Sequence, residues 1–187
     1  GNAREDWVWA KCVQDEYAKH FPSTVQALER VQPVDLSDTE IAVRLGATWL
    51  PPKIVEQFMF ELFSTSNRSR WNIHVHYSKY TGEWNIEGKS YDKGNIKAQN
   101  TYGTERISGY KIVEETLNLR DVRIFDYETD HHGNRVPILN KKETAIAQGK
   151  QQLIKQAFQD WIWKAPARRE RLTRIYHDKF NSTRPRE

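Results

Sequence analysis

Apolar residues recur at helical spacing towards both ends of this chain and at strand spacing in its middle. Trp9, Val13 and Tyr17 repeat every four residues and predict a helix over 5–21, closed by Phe21-Pro22. After a connection over 22–36, Ser37-Asp38-Thr39-Glu40 offers an N-cap for a short helix carrying Ile41 and Leu45, with Gly46 as its C-cap. Pro51-Pro52 suits the first turn of a longer helix. Its rows Ile54-Phe58-Leu62 and Val55-Met59-Phe63 predict a wide buried face.

The period then changes to two. Trp71, Ile73, Val75 and Tyr77 alternate with Asn72, His74, His76 and Ser78, as in a half-buried strand. Tyr80-Thr81-Gly82 supplies a turn, and Trp84 and Ile86 continue the apolar face on a second strand of a hairpin. Residues 88–104, rich in Gly, Asn, Ser and Lys, read as a long loop. A helix is expected over about 105–118, then a strand over Asp121–Tyr127, a turn at Asp130–Asn134 and a partner strand at Arg135–Leu139. Asn140-Lys141-Lys142-Glu143 has capping-box form for a helix to about Lys164. Its expected apolar side is Ile146, Leu153, Ile154, Ala157, Phe158, Trp161 and Ile162. Pro166 opens a last helix with the stripe Leu172, Ile175, Tyr176 and Phe180. Helices and hairpins without βαβ alternation predict an α+β fold, helices packed on short antiparallel β-hairpins with a C-terminal pair of helices.

Composition adds charge asymmetry to that outline. The 187 residues carry a net +4, yet Lys164–Glu187 holds eight Lys/Arg against three acids, a local +5 that leaves about −1 for residues 1–163. The expected organisation is therefore an α+β domain over 1–163 with a basic helical extension over 164–187. A chain this long removes roughly 70% of its unfolded surface from water, and 12% aromatic residues fill such a core. The one cysteine, Cys12, can form neither an internal disulfide nor a zinc cluster, which fits a reducing cytoplasm. No apolar run reaches the roughly 18–20 residues that cross a bilayer, so no membrane partner is expected. The N-terminus has no charged-then-apolar signal layout. Both chain ends are expected to be cuts from a larger protein.

Four constellations could carry chemistry. Gly88-Lys89-Ser90 matches the end of a phosphate-binding loop, but the earlier glycine is missing, since position 83 is Glu, and no helix start follows. His74 and His76 share a strand face, and the hairpin would bring Glu87 near, a donor set adequate for zinc. The ordinary alternative is a polar strand face in solvent, and no further ligand has metal spacing. Asp130-His131-His132 reads as a hairpin tip. In the last helix Arg168, Arg171 and Lys179 fall away from the apolar stripe, with Arg169 and Arg174 on its flanks and Arg184 beyond. Such an array gives an electrostatic footprint for nucleic acid, against the plainer reading of a solvated helix face. No serine-nucleophile elbow, adenine-methylase tetrapeptide or helicase acidic box is present, and no cofactor is expected.

Five stretches matter together. They are Ile41-Ala42-Val43-Arg44-Leu45-Gly46-Ala47-Thr48-Trp49-Leu50-Pro51, Tyr80-Thr81-Gly82-Glu83-Trp84 and Leu139-Asn140-Lys141-Lys142-Glu143-Thr144, followed by Ile154-Lys155-Gln156-Ala157-Phe158-Gln159-Asp160-Trp161 and Tyr176-His177-Asp178-Lys179-Phe180-Asn181. In this order, from about residue 35 onwards, the chain resembles the segment joining the adenine-specific DNA methylase region to the Swi/Snf-type helicase region of very large proteins of bacterial conjugative elements and phages. The resemblance implies a cytoplasmic role in DNA modification, in remodelling or in protecting a mobile element. The flanking methylase and helicase would be its neighbours. It implies no catalytic residue here, because neither enzyme's motifs have a counterpart in these positions. Three expectations follow: a non-catalytic DNA-contacting domain, a metal-dependent activity at His74, His76 and Glu87, or a purely structural spacer.

Overall fold

The structure is a computed structural model and describes residues 41–180. The helix expected over 5–21, Cys12 and Arg184 lie outside the described residues. Most of the rest, Val43–Arg168, is one compact unit, and 169–180 belong to a second.

The unit Val43–Arg168 opens with turns over 45–50. The short helix expected to carry Ile41 and Leu45 is not found over the described residues: Ile41–Arg44 carry no regular structure, and Ile41, Val43 and Leu45 are buried. Gly46 has φ 94°, and a Cβ there would lie 2.6 Å from the Leu117 carbonyl oxygen. Glycine is thus needed for close approach and for a left-handed backbone.

Helix α1 (Pro52–Phe63) starts at a proline pair as expected. It buries Ile54, Val55, Phe58, Met59 and Phe63. A short helix α2 (Asn67–Arg70), N-capped by Ser66, leads to β1 (His74–Tyr77) and β2 (Trp84–Glu87). These strands pair antiparallel, with Val75 opposite Ile86 and His76 opposite Asn85. Ile73, Val75, Trp84 and Ile86 are buried, as the alternation predicts. Trp71 is the departure: it ends α2 and is 82% exposed.

The stretch expected as a loop over 88–104 is instead a 3-10 turn (Lys89–Asp92) and a π turn (Lys97–Thr101). Buried Asp92 holds it in place, accepting hydrogen bonds from the Tyr110 hydroxyl (2.5 Å) and the Asn95 amide (2.7 Å). Helix α3 (Gly109–Leu117) begins four residues later than the spacing predicts, where Ser108 caps the Lys111 N–H.

Helices α1 and α3 flank the hairpin, and their side chains and caps engage outward N–H groups of both strands. The outward Val75 N–H donates to Glu56 of α1 (3.2 Å). On the other side the Ile86 N–H donates to Glu114 (2.8 Å) and the Trp84 N–H to Asn118 (2.8 Å). The side chains of helices thus stand where further strands would otherwise be.

Val122 and Ile124 are buried but extended rather than stranded, because α4 (Lys141–Ile162) takes their N–H groups through Gln151 (3.2 Å) and Thr144 (2.9 Å). The strand β3 therefore covers Phe125–Thr129, and it pairs with β4 (Arg135–Leu139) as expected. The buried stripe of α4 is Thr144, Ala147, Gln151, Ile154, Phe158 and Ile162, whereas Ile146 and Leu153 are exposed, against expectation. Phe58 joins α1 to α4 through edge contact with Phe158 at 5.1 Å. A final helix α5 spans Pro166–Phe180. Mixed helices with two antiparallel hairpins make this an α+β fold. Among the described residues no helix is long and apolar enough to cross a membrane.

Candidate functional site

Between the turn after Val43, the end of α3 and one face of α4 lies a cleft of about 350 Å³. Gly46 lets the first of these approach the second, and the Gln159 amide donates to the Val43 carbonyl (2.7 Å), tying the turn to α4. Its apolar lining is buried Leu45 and exposed Leu119. Leu119 has φ 58°, and the bonds Leu119 N–H to Thr116 O (3.0 Å) and Arg120 N–H to Glu115 O (2.9 Å) form a Schellman end to α3. That left-handed position ordinarily takes glycine. Here it points the next residue, Arg120, to the cleft.

The rim carries Arg44, Arg120 and Lys155 against a single carboxylate, Asp121. Arg120 is partly engaged, 3.1 Å from Glu115. Arg44 and Lys155 have no ion-pair partner among the described residues. Gln152 and Gln156 add amides that both donate and accept. Positive charge and neutral donors beside apolar side chains suit a phosphate-bearing ligand. No local sequence signal marks these residues, because they are spread from 44 to 159 and only the fold gathers them.

The basic residues expected to act through the last helix divide by role. Arg168 lies with its guanidinium carbon 3.4 Å from the Trp161 ring centroid and donates to the carbonyls of Trp161 (2.5 Å) and Ile162 (3.2 Å), closing the end of α4. Burial lowers its pKa from the ordinary arginine value, while Glu61 opposes that shift. Arg174 pairs with Glu170 at 3.2 Å. Arg169, Arg171 and Lys179 are exposed on α5.

His74, His76 and Glu87 are not gathered into one donor set. The His76 ring meets Glu87 at 3.1 Å, but His74 turns to the Trp71 carbonyl (3.1 Å), and the two imidazoles are 6.3 Å apart. Among the described residues no three His, Cys, Asp or Glu side chains are placed to hold a metal. Lys89 of the Gly88-Lys89-Ser90 tripeptide is committed to Glu114 (2.7 Å) and the Ile86 carbonyl (2.6 Å). His131 and His132 lie exposed in the β3–β4 turn.

A family model for a domain of unknown function, DUF8437, matches residues 44–182. The chain belongs to that family. No curated protein and no solved structure matches it. The DUF8437 match takes in the whole cleft, both hairpins and α5, so every candidate residue among those described falls inside the family's domain.

Proposed function

We propose that this DUF8437 domain is a non-catalytic, DNA-contacting accessory module of a large bacterial methylase and helicase protein of a mobile genetic element. The observation that carries the reading is the cleft, where Arg44 and Lys155, without ion-pair partners among the described residues, stand beside Arg120 and a row of glutamines. Cations without internal partners can exchange solvent counterions for phosphates, which is the main source of affinity for DNA. The ordered resemblance of five stretches to a methylase–helicase junction supports DNA as the polyanion. Exposed Arg169, Arg171 and Lys179 on α5 would add further positive charge.

The expected result is DNA binding that weakens steeply with salt. Arg44→Glu with Lys155→Glu should weaken it at least tenfold and lower the log–log salt slope by about 0.9 for each phosphate no longer neutralised. Fluorescence anisotropy across a salt series measures both quantities. Salt-independent binding, or none, would remove the reading. It would favour instead an interdomain spacer, for which the internally committed Arg168 and Arg174 are the supporting observation.

A further inference from the structure

Two chain segments, 64–72 and 88–101, form a surface unlike the cleft. They run side by side. The Ser69 hydroxyl donates to the Tyr91 carbonyl (3.4 Å), and a Cβ on Gly88 would fall 1.8 Å from the Asn72 carbonyl oxygen. Gly88 has φ 75°, so both its backbone and its surroundings demand glycine. The Asn95 amide donates to the Phe63 carbonyl (2.9 Å), and the Lys97 ammonium to the Ser64 hydroxyl (2.8 Å). Beneath them the Tyr110 hydroxyl bridges Asp92 and Thr65. The base is thus cross-linked by hydrogen bonds.

What this cross-linked base displays is aromatic and cationic. Trp71 is 82% exposed, Tyr91 64% and Ile96 72%. Neither the Trp71 nor the Tyr91 ring contacts another aromatic ring among the described residues, and most of each side chain meets solvent. The two segments contain Arg68, Arg70, Lys89, Lys93 and Lys97 and a single acid, Asp92, which is buried. Arg70 and Lys89 are used internally, on the Thr65 carbonyl and on Glu114. The side chains of Arg68 and Lys93 are exposed without a partner among the described residues, and Lys97 needs only to leave a serine hydroxyl. The nearest exposed carboxylate in sequence, Glu87, is engaged by His76.

Open aromatic faces in water invite non-specific association, whereas unstacked bases offer matching π faces joined by phosphates. Duplex DNA hides those faces. We propose that the Trp71–Tyr91 surface is a stacking platform for single-stranded DNA, with Arg68, Lys93 and Lys97 tracking the phosphates. This inference rests on the DNA-contacting reading above and names the form of DNA. Because hydrogen bonds cross-link the two segments, the backbone beneath the rings need not rearrange when a strand binds.

The test uses the whole chain, a fluorescein-labelled oligothymidylate longer than the roughly 4–16 nucleotides such surfaces cover, and a duplex of equal length. The single strand should bind more tightly than the duplex. Trp71→Ala and Tyr91→Ala should each weaken single-strand binding by roughly 5- to 100-fold and leave duplex binding and the circular dichroism spectrum unchanged. Trp71→Phe should restore most of the affinity, which a merely structural or charged role for this position would not predict. Lys93→Glu with Lys97→Glu should lower the salt slope. Equal affinity for strand and duplex, insensitive to Trp71→Ala and Tyr91→Ala, would overturn the platform and leave the DNA-contacting reading standing. No binding to either probe would overturn both.

Discussion

Glu114 is 7% exposed, and its two oxygens serve Lys89, Lys111 and the Ile86 N–H. Burial pushes its pKa upward, but the two ammonium groups and the backbone N–H outweigh burial and hold it below the ordinary 4.5. A carboxylate whose folded pKa is depressed stabilises the fold fully above the unfolded value, and that contribution disappears as pH falls through 4.5 towards the folded pKa. Glu114→Gln should therefore flatten the acid limb of a stability–pH curve in that window, measured by urea unfolding. At neutral pH it should cost about 1.5–3 kcal/mol, the worth of hydrogen bonds to a charged group. An unchanged acid limb would mean that another carboxylate governs it. The sequence places Glu114 on a helix but is silent on its partners, which lie up to 28 positions away and depend on how α3 meets β2. Trp71 departs from its pattern for a related reason: alternation extends through it, but the Ser66 cap and Asn67–Arg70 form a helical turn first.

At the scale of elements, strong local signals are legible. The Pro51-Pro52 start of α1, the β1–β2 alternation, the β3–β4 turn and the Asn140 cap of α4 each appear where pattern and turn chemistry put them. The stripe of α4 is not. Its polar Thr144 and Gln151 are buried while Ile146 and Leu153 face outwards, because the extended run Val122–Ile124 needs acceptors more than apolar contact. Gln151→Leu should thus be destabilising by about 2–3 kcal/mol, leaving the Val122 N–H and Arg120 carbonyl unpaired. Leu153→Gln should change stability by about 0.5 kcal/mol or less. Thermal unfolding of the two variants checks the contrast, and equal effects would refute it. The two hairpins should also differ in dynamics. Every residue of β4 is exposed and β3 is little better covered, a ribbon of marginal stability on its own. Hydrogen exchange should be fast over Phe125–Leu139 and slow at Val75, Trp84 and Ile86, whose N–H groups are held by helical side chains and the α3 cap. Comparable protection in both would show that the ribbon is held by more than this domain's own helices.

Across the molecule, the net +4 hides a division of labour among cations. Arg168, Lys89 and Lys111 are engaged by internal carbonyls and carboxylates, whereas exposed Arg44, Arg68 and Lys93 and half-buried Lys155 have no ion-pair partners among the described residues. The sequence draws attention to Lys164–Glu187 because charge density is visible there as a run. The cleft and the aromatic surface are invisible in it because their charges are dispersed and meet only after folding. Adding salt should accordingly weaken the proposed DNA binding far more than it weakens the fold, since the structural pairs are partly buried and screened less. Parallel salt series of anisotropy and urea unfolding compare the two.

The way helices finish the β1–β2 hairpin also governs how this domain can associate. A strand edge with free N–H and C=O groups recruits other strands, in fibres as well as in specific complexes. Here Glu56 takes the Val75 N–H on one outer edge and Glu114 with Asn118 take the Ile86 and Trp84 N–H groups on the other, so a foreign strand would have to displace these side chains to add to that sheet. The second ribbon is blunted differently: Pro137 supplies no donor from β4, and Arg106 occupies the Phe125 carbonyl of β3. Strand addition, a standing hazard of small sheets, is therefore hindered on both hairpins by side chains of the same domain.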